Sequence, residues 1–472
     1  MKQFFGSVRA QIEHVNLRAV LGDEPAARAL VIAFFVALFF AHATLLRPVV
    51  QNGDSAAYNT QIDALDLASR STHVGYLGLG IVFNKLLPFG TDLNMNVMVL
   101  AIGVVGLIGV YAVARRLSGS RWAAVFSVLL ALVLPSELRG SLLSEVDVVS
   151  VSLIALSYAW FLAEVPLVAG AVFGLSVLVT PMSGPMLTVF VLTVSLSEAG
   201  LARNASRHLL KLAKFGVAAL AVYLPVVLTH YHDYVYGRRG LLNAPRLPLS
   251  LARQLAHSAV FIRDEAGITI LFYALGVCAC LASRRLWRFG QPVPALLLSV
   301  LLMAIVGDRV GPVPVQLPNL VLLAALPSVA LVASPWALRL GSLLVFAGCL
   351  SKGLASYPRI LSEIAQQDRD RSLCVEIRDQ SRPRAPVLVG IIGWDRQRAY
   401  ERYASSGTQS AKVLEWGAFL HRERQWLEST DDQIWFFRHV NERQIHRLLS
   451  VYSLESRHVV GRVFQVLVPS PK

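Results

Sequence analysis

The sequence predicts an α-helical polytopic membrane protein: a bundle of about eleven transmembrane helices with a small extracytoplasmic α/β domain at its C-terminal end. Three observations predict it. Of 472 residues, 55% are hydrophobic and only 16% charged, against roughly 25% charged in ordinary soluble domains. The apolar residues fall into runs long enough to cross a bilayer. After residue 354 the chain turns polar and the runs stop.

The elements follow in order. The first 28 residues are polar and carry Lys2, Arg9, Arg18 and Arg28, with no small-residue cleavage site after the first apolar run. This reads as a cytoplasmic segment ahead of an uncleaved membrane helix. A spanning helix needs about 20 mostly apolar residues, with a range of about 17–25. Residues 29–46, 94–114, 121–137, 145–163, 166–182, 184–198, 213–230, 266–283, 292–307, 315–333 and 335–352 are the candidates. The segment 73–88 is apolar but short, and Asn84 and Lys85 stand near its end. Counted as a span, it would move every later basic connector to the outside. Read as a helix along the outer surface, it leaves the N-terminus, 115–121, 199–214 and 284–288 in the cytoplasm. Those stretches are rich in Lys and Arg, so the positive-inside rule selects the second reading. The expected organisation is therefore a membrane domain over 29–354 and a soluble domain over 355–472. The first outer loop is long, at about 47–93, and the expected setting is a bacterial inner membrane.

A charge of +14, from 44 Lys and Arg against 30 Asp and Glu, would suggest nucleic acid in a soluble protein. Here Arg115, Arg116, Arg121, Arg284, Arg285 and Arg288 sit in connectors between apolar runs, where they hold loops in the cytoplasm. Nucleic acid is excluded as a partner on this ground. The four cysteines form neither a disulfide framework nor a metal-binding spacing. In the tail, 386–394, 433–440 and 457–469 read as strands, and 409–428 and 441–450 have helical spacing. It holds no phosphate-binding glycine motif and no nucleophile elbow, so an accessory role is expected.

The best cluster of chemistry-bearing residues is in the first outer loop, QNGDSAAYNTQIDALDLASRSTHVGY. Tyr58, Ile62 and Leu65 recur at i, i+4 and i+7, giving a helix an apolar face for the membrane surface. Asp63 and Asp66 fall opposite, on a solvated face. Asp54 stands in the turn before that helix. Two roles fit it: an N-cap, for which Ser55 can substitute, or a reacting carboxylate held close to the bilayer.

Asp54-Ser55, then a helix, then His73-Val74-Gly75-Tyr76 leading into Leu87-Pro88-Phe89-Gly90, resembles the first loop of the GT-C glycosyltransferases. The likeness is greatest to the protein O-mannosyltransferase-like branch, with its Asp-Ser-Gly-Glu start and later His-Pro-Pro-Gly-Tyr. Arg115-Arg116-Leu117 and Ser144-Glu145-Val146 also fit that branch. The resemblance covers residues 30–165 well and the later helices by layout only. Ala56-Ala57 replaces Gly-Glu, and both prolines of the second motif are missing. The resemblance implies an inverting transferase that uses a polyprenyl-phosphate sugar, with Asp54 as base or metal ligand. The acceptor, whether glycan, lipid or protein, is not implied. A divalent cation such as Mg or Mn is compatible with the family but not required by any motif here.

Other residues carry two readings each. Glu145 and Asp147 open the fourth span on the same outer side as Asp54. Acids at membrane depth are often functional, yet near a helix N-terminus they also complement the dipole. Arg309, ahead of GPVPVQLPNL, is either a donor-phosphate clamp or a snorkelling interfacial residue. Arg238 and Arg239 in YGRRG are weaker candidates of the same kind, and His73 and Tyr76 are candidates for substrate contact. His230, His232 and Asp233 offer metal ligands, although the interleaved Tyr231, Tyr234 and Tyr236 suggest an aromatic interfacial belt. A transporter, a lipid flippase or a non-catalytic assembly protein would also need many helices. The two halves show no internal repeat, however, and the acids cluster at one surface.

Overall fold

The computed structural model describes residues 24–50, 52–67, 73–181, 205–229, 336–381, 386–390, 394–405, 410–421, 434–436, 455–460 and 463–467, besides isolated positions elsewhere. The chain divides into two compact units. One comprises Met1–Leu46, Leu65–Pro88 and Asn94–Ile360, the other Arg47–Ala64, Phe89–Leu93 and Leu361–Lys472. In chain order the described helices are α1 (Pro25–Ala43), α2 (Gly53–Asp63), α3 (Val74–Leu86), α4 (Thr91–Ser118), α5 (Arg121–Leu132), α6 (Pro135–Leu142), α7 (Val146–Leu162), α8 (Pro166–Val179), α9 (Ala205–Thr229) and α10 (Trp336–Ser381). Strands and helices then mix: β1 (Val387–Gly390), α11 (Trp394–Ala404), β2 (Lys412–Glu415), α12 (Trp416–His421), β3 (Ile434–Phe436), β4 (Glu455–Val460) and β5 (Val463–Leu467).

The first unit is a helical membrane bundle. Among the described residues α1, most of α4 and most of α9 are long and apolar enough to cross a bilayer, and the bent pair α5–α6 adds a fourth if taken as one span. The chain is an integral membrane protein. The expected single span over 121–137 is corrected: α5 ends at Leu132 and α6 starts at Pro135 with its axis turned by 74°. Pro135 has no N–H to offer the preceding turn, and its fixed φ suits the first position of a new helix. α3 has 13 residues, about 20 Å of helix, too short for a hydrocarbon core of about 30 Å. The expected spans 184–198, 266–283, 292–307 and nearly all of 315–333 lie outside the described residues.

Close approach through small residues holds the bundle together. A Cβ on Gly170 would collide with the Phe215 carbonyl oxygen, and one on Gly174 would stand 2.5 Å from the Ala219 carbonyl oxygen. This small-xxx-small stripe lets α8 lie directly on the backbone of α9, the packing that substitutes for hydrophobic drive inside lipid. Gly109 of α4 repeats the device against α7, with a Cβ there falling 2.7 Å from the Ala155 carbonyl carbon. Phe161 and Phe173 fill the remaining space against Phe215 at ring separations of 5.5 and 5.4 Å.

The second unit is α/β. Its five-stranded mixed sheet has the order β2-β1-β3-β5-β4, with β1 parallel to both β2 and β3 and with β5 antiparallel to β3 and β4. Residues 457–469, expected as one strand, form parts of two, and 412–415, expected as helix, form β2. α11 was not expected at all. The core brings Val50 and Ala56 together with Cys374, Ile377, Leu388, Ala399, Tyr400, Tyr403 and Trp435. Trp435 donates its indole N–H to Ser381 Oγ at 3.0 Å, which settles the buried polar end of that side chain.

α2 belongs to this second unit and packs on α11. The expected membrane-facing stripe is thereby corrected. Tyr58 and Ile62 are 5% and 0% exposed, buried by protein. Leu65 lies beyond the helix end at φ 55° and is exposed. An amphipathic period states that one face is covered, and does not state by what.

Candidate active site

Asp54 lies in the first turn of α2, not in the turn before it. Asn52 caps the helix, its Oδ1 accepting the Ser55 N–H at 2.9 Å. The capping role weighed for Asp54 is therefore filled by another residue. The Asp54 carboxylate is exposed, at a helix end where backbone N–H groups favour negative charge.

The other end of α2 is clamped. Arg402 on α11 donates from Nε to Asp92 Oδ1 at 2.8 Å and from Nη1 to Thr60 Oγ1 at 3.2 Å, and its Nη2 meets Asp63 Oδ2 at 2.8 Å. Asn59 donates to Asp92 Oδ1 at 2.9 Å, and Thr91 donates to Asp63. The Arg402 side chain is 16% exposed. Burial alone would lower its pKa, but the charges of Asp92 and Asp63 outweigh this and the net shift is upward. Asp63 is exposed, as expected of a solvated face, and is also one arm of an ion-pair network; Asp66 lies past the helix end, half-buried. The neighbouring Tyr403 accepts the Val50 N–H at 2.7 Å through its hydroxyl.

In the membrane unit the sequence candidates gather around the start of α7. Glu145 occupies the N-cap position of α7 without making a capping hydrogen bond. Its Oε2 would stand 2.8 Å from a Cβ on Gly140, so the carboxylate turns back over α6. Asp147 lies in the first turn of α7. Tyr76 is fully buried and donates its hydroxyl to the Ser144 carbonyl at 3.2 Å. His73 donates from Nδ1 to the Val179 carbonyl at 2.8 Å. The start of α3 is thus tied to both the C-terminal end of α8 and the link leading into α7.

Glu137 on α6 joins this group and is a residue that sequence reasoning missed as a site candidate. It is 2% exposed, its Oε2 has no hydrogen-bond partner among the described residues, and it lies within electrostatic reach of Glu145. The signal was present as an acid two residues after a proline in an otherwise apolar run. Arg238, Arg239, Arg309, His230, His232 and Asp233 lie outside the described residues. Among the described residues, no three His, Cys, Asp or Glu side chains come together as a metal site.

No family model and no curated protein sequence matches the chain. Solved structures do. ArnT from Cupriavidus metallidurans in the apo state superposes with a TM-score of 0.61 at 14% identity, covering 93% of this chain and 98% of that one. The same protein bound to undecaprenyl phosphate gives 0.60 at 13%, covering 94% and 98%. The Archaeoglobus fulgidus oligosaccharyltransferase in complex with Zn and sulfate gives 0.42 at 16%, covering 71% and 53%. A helical bundle, a mixed-sheet C-terminal unit and a likeness to ArnT across nearly the whole of both chains give this protein the GT-C membrane fold.

Proposed function

We propose that the chain is a GT-C glycosyltransferase that moves a sugar from a polyprenyl-phosphate donor to an acceptor at the outer face of a bacterial inner membrane. The observation that carries this reading is the likeness, over 94% of the chain, to an ArnT structure that holds undecaprenyl phosphate. On its first-loop residues, from Asp54-Ser55 to His73-Val74-Gly75-Tyr76, the chain is placed with the protein O-mannosyltransferase-like branch.

Asp54 is assigned as the base. The acceptor hydroxyl attacks the anomeric carbon while Asp54 takes its proton, and the bond from that carbon to the phosphate oxygen breaks. The leaving polyprenyl phosphate departs as an anion, so no acid has to protonate it, unlike the leaving group in a glycosidase. Arg309, with Arg238 and Arg239, is assigned to offset the phosphate charge, for which a planar guanidinium is suited. His73, Tyr76 and Asp147 are assigned to the substrate side, and Glu145 is the alternative base. The donor lipid, surrounding membrane lipids and an acceptor glycan, lipid or protein are the partners.

The test is single-turnover release of undecaprenyl phosphate from a panel of undecaprenyl-phosphate hexoses and pentoses, with pooled glycan, lipid and peptide acceptors. Asp54→Asn should lower transfer by a factor on the order of 10²–10⁴, the usual worth of a general base. It should leave undecaprenyl phosphate binding intact, since Asn52 still caps α2. Undiminished transfer by Asp54→Asn would sink the base assignment. Release from no member of the panel would sink the activity.

A further inference from the structure

Two adjacent residues of α11 grip the stretch of chain that carries Asp54. Tyr403 holds the Val50 N–H, just ahead of the Asn52 cap, and Arg402 holds Thr60 and Asp63 at the far end of α2. The helix between them has 11 residues, about 16 Å. A rigid rod fixed at both ends leaves Asp54 little freedom to move.

Arg402 is suited to this task in a way lysine would not be. Its three nitrogens serve three separate acceptors, Asp92, Thr60 and Asp63, two of them 310 and 342 positions away in sequence. An ammonium group on a flexible stem offers no such fixed fork. Without the cation, Asp63 and Asp92 would be left as two like charges, with the Thr91 hydroxyl donating to the first and the Asn59 amide to the second. A charged group held 16% exposed among two carboxylates is not a solubility feature.

From this arrangement we infer that Arg402 is a positioning residue: α11 of the C-terminal domain, through Arg402, sets the orientation of α2 and hence of the Asp54 carboxylate. The C-terminal domain is then not a passive appendage but the mount of the first outer loop. The inference rests on the assignment of Asp54 as base. It adds a requirement that the assignment alone does not make, namely that a residue of the soluble domain governs the rate without touching substrate.

The test uses the full-length protein in nanodiscs, comparing wild type, Arg402→Gln and Arg402→Lys. Hydrogen exchange should rise at least about tenfold in peptides covering Gly53–Asp63 of Arg402→Gln, with peptides from α7 and β1 unchanged. Single-turnover transfer should fall about 10²-fold, the scale of a 1 Å misplacement of a reacting group, while undecaprenyl phosphate binding stays at the wild-type value. Arg402→Lys should recover part of both effects. Where Arg402→Gln also loosens β1, Thr60→Val, which removes one arm only, should reproduce the α2 exchange and a smaller loss of transfer. Unchanged α2 exchange overturns the clamp. Loosened α2 with wild-type transfer overturns the positioning role. Normal transfer by Asp54→Asn in the same assay overturns the base assignment and the purpose given to the clamp, while the exchange data still decide whether the clamp holds α2.

Discussion

At Glu137 a carboxylic acid is 2% exposed beside the break between α5 and α6, with one oxygen lacking a hydrogen-bond partner among the described residues and Glu145 within electrostatic reach. A buried ionised carboxylate is expensive, and the charge of Glu145 adds repulsion. Glu137→Gln keeps the shape and removes the ionisable group. It should leave thermal stability equal or higher and lower single-turnover transfer about tenfold or more; wild-type transfer would reduce Glu137 to a structural residue. Asp54 and Glu145 were both legible as candidates from sequence, because an acid beside an apolar run is conspicuous. Their settings were less legible. That Asn52 caps α2 in place of Asp54 depends on which residue turns first into the helix, a matter of one position. That Asp63 meets Arg402 could not be read at all. The partner of Asp92 in the same network lies 310 residues away, and no spacing rule reaches so far.

Helices were read well where apolar runs were long, and poorly where the partner decides the outcome. α1, α4, α7 and α8 fall close to their expected ranges, while α9 begins at Ala205, two turns ahead of the expected 213. α5 was read through Pro135 because the apolar run continues past it. β2 was read as helix because four residues carry little periodicity, and α11 was missed because its polar, Arg-rich sequence leaves only the short stripe Ala399, Tyr400, Tyr403 and Ala404. The α8–α9 seam gives a controlled test of element packing. Gly170→Ala drives a methyl into the Phe215 carbonyl, whereas a Cβ at Gly216 meets nothing within 4 Å. Overpacking costs typically 1–3 kcal/mol, so Gly170→Ala should lower the melting temperature of the detergent-solubilised protein. Gly216→Ala should be neutral or raise it, by roughly 0.5–1 kcal/mol from reduced chain entropy. Equal melting temperatures for the two variants would show that α8 and α9 are not in backbone contact.

For the whole molecule, the makeup of the second unit predicts a parity. Arg47–Ala64, Phe89–Leu93 and the segment from Leu361 onward share one compact unit, and the prediction is that all three lie on one side of the membrane. α3 runs between the first two, so the same prediction has it begin and end on one side. It also requires an even number of crossings between Leu93 and Leu361, the parity that the expected eleven spans would have. Contacts within the membrane unit sort the same way. Arg121 pairs with Glu24 and Lys211 with Glu164, both at 2.8 Å, on the end assigned to the cytoplasm by positive charge. His73 meets Val179 and Tyr76 meets Ser144 at the opposite end. Single cysteines at exposed positions of a cysteine-free protein can check both the parity and the direction. Ala64→Cys and Arg398→Cys should react with an impermeant maleimide added to spheroplasts, and Arg207→Cys only after the membrane is opened. Labelling of Ala64→Cys without Arg398→Cys would separate two segments that share a core and break the parity argument. Labelling of Arg207→Cys alone would keep the parity and reverse the direction, placing Asp54 in the cytoplasm and removing the outer-face site with it.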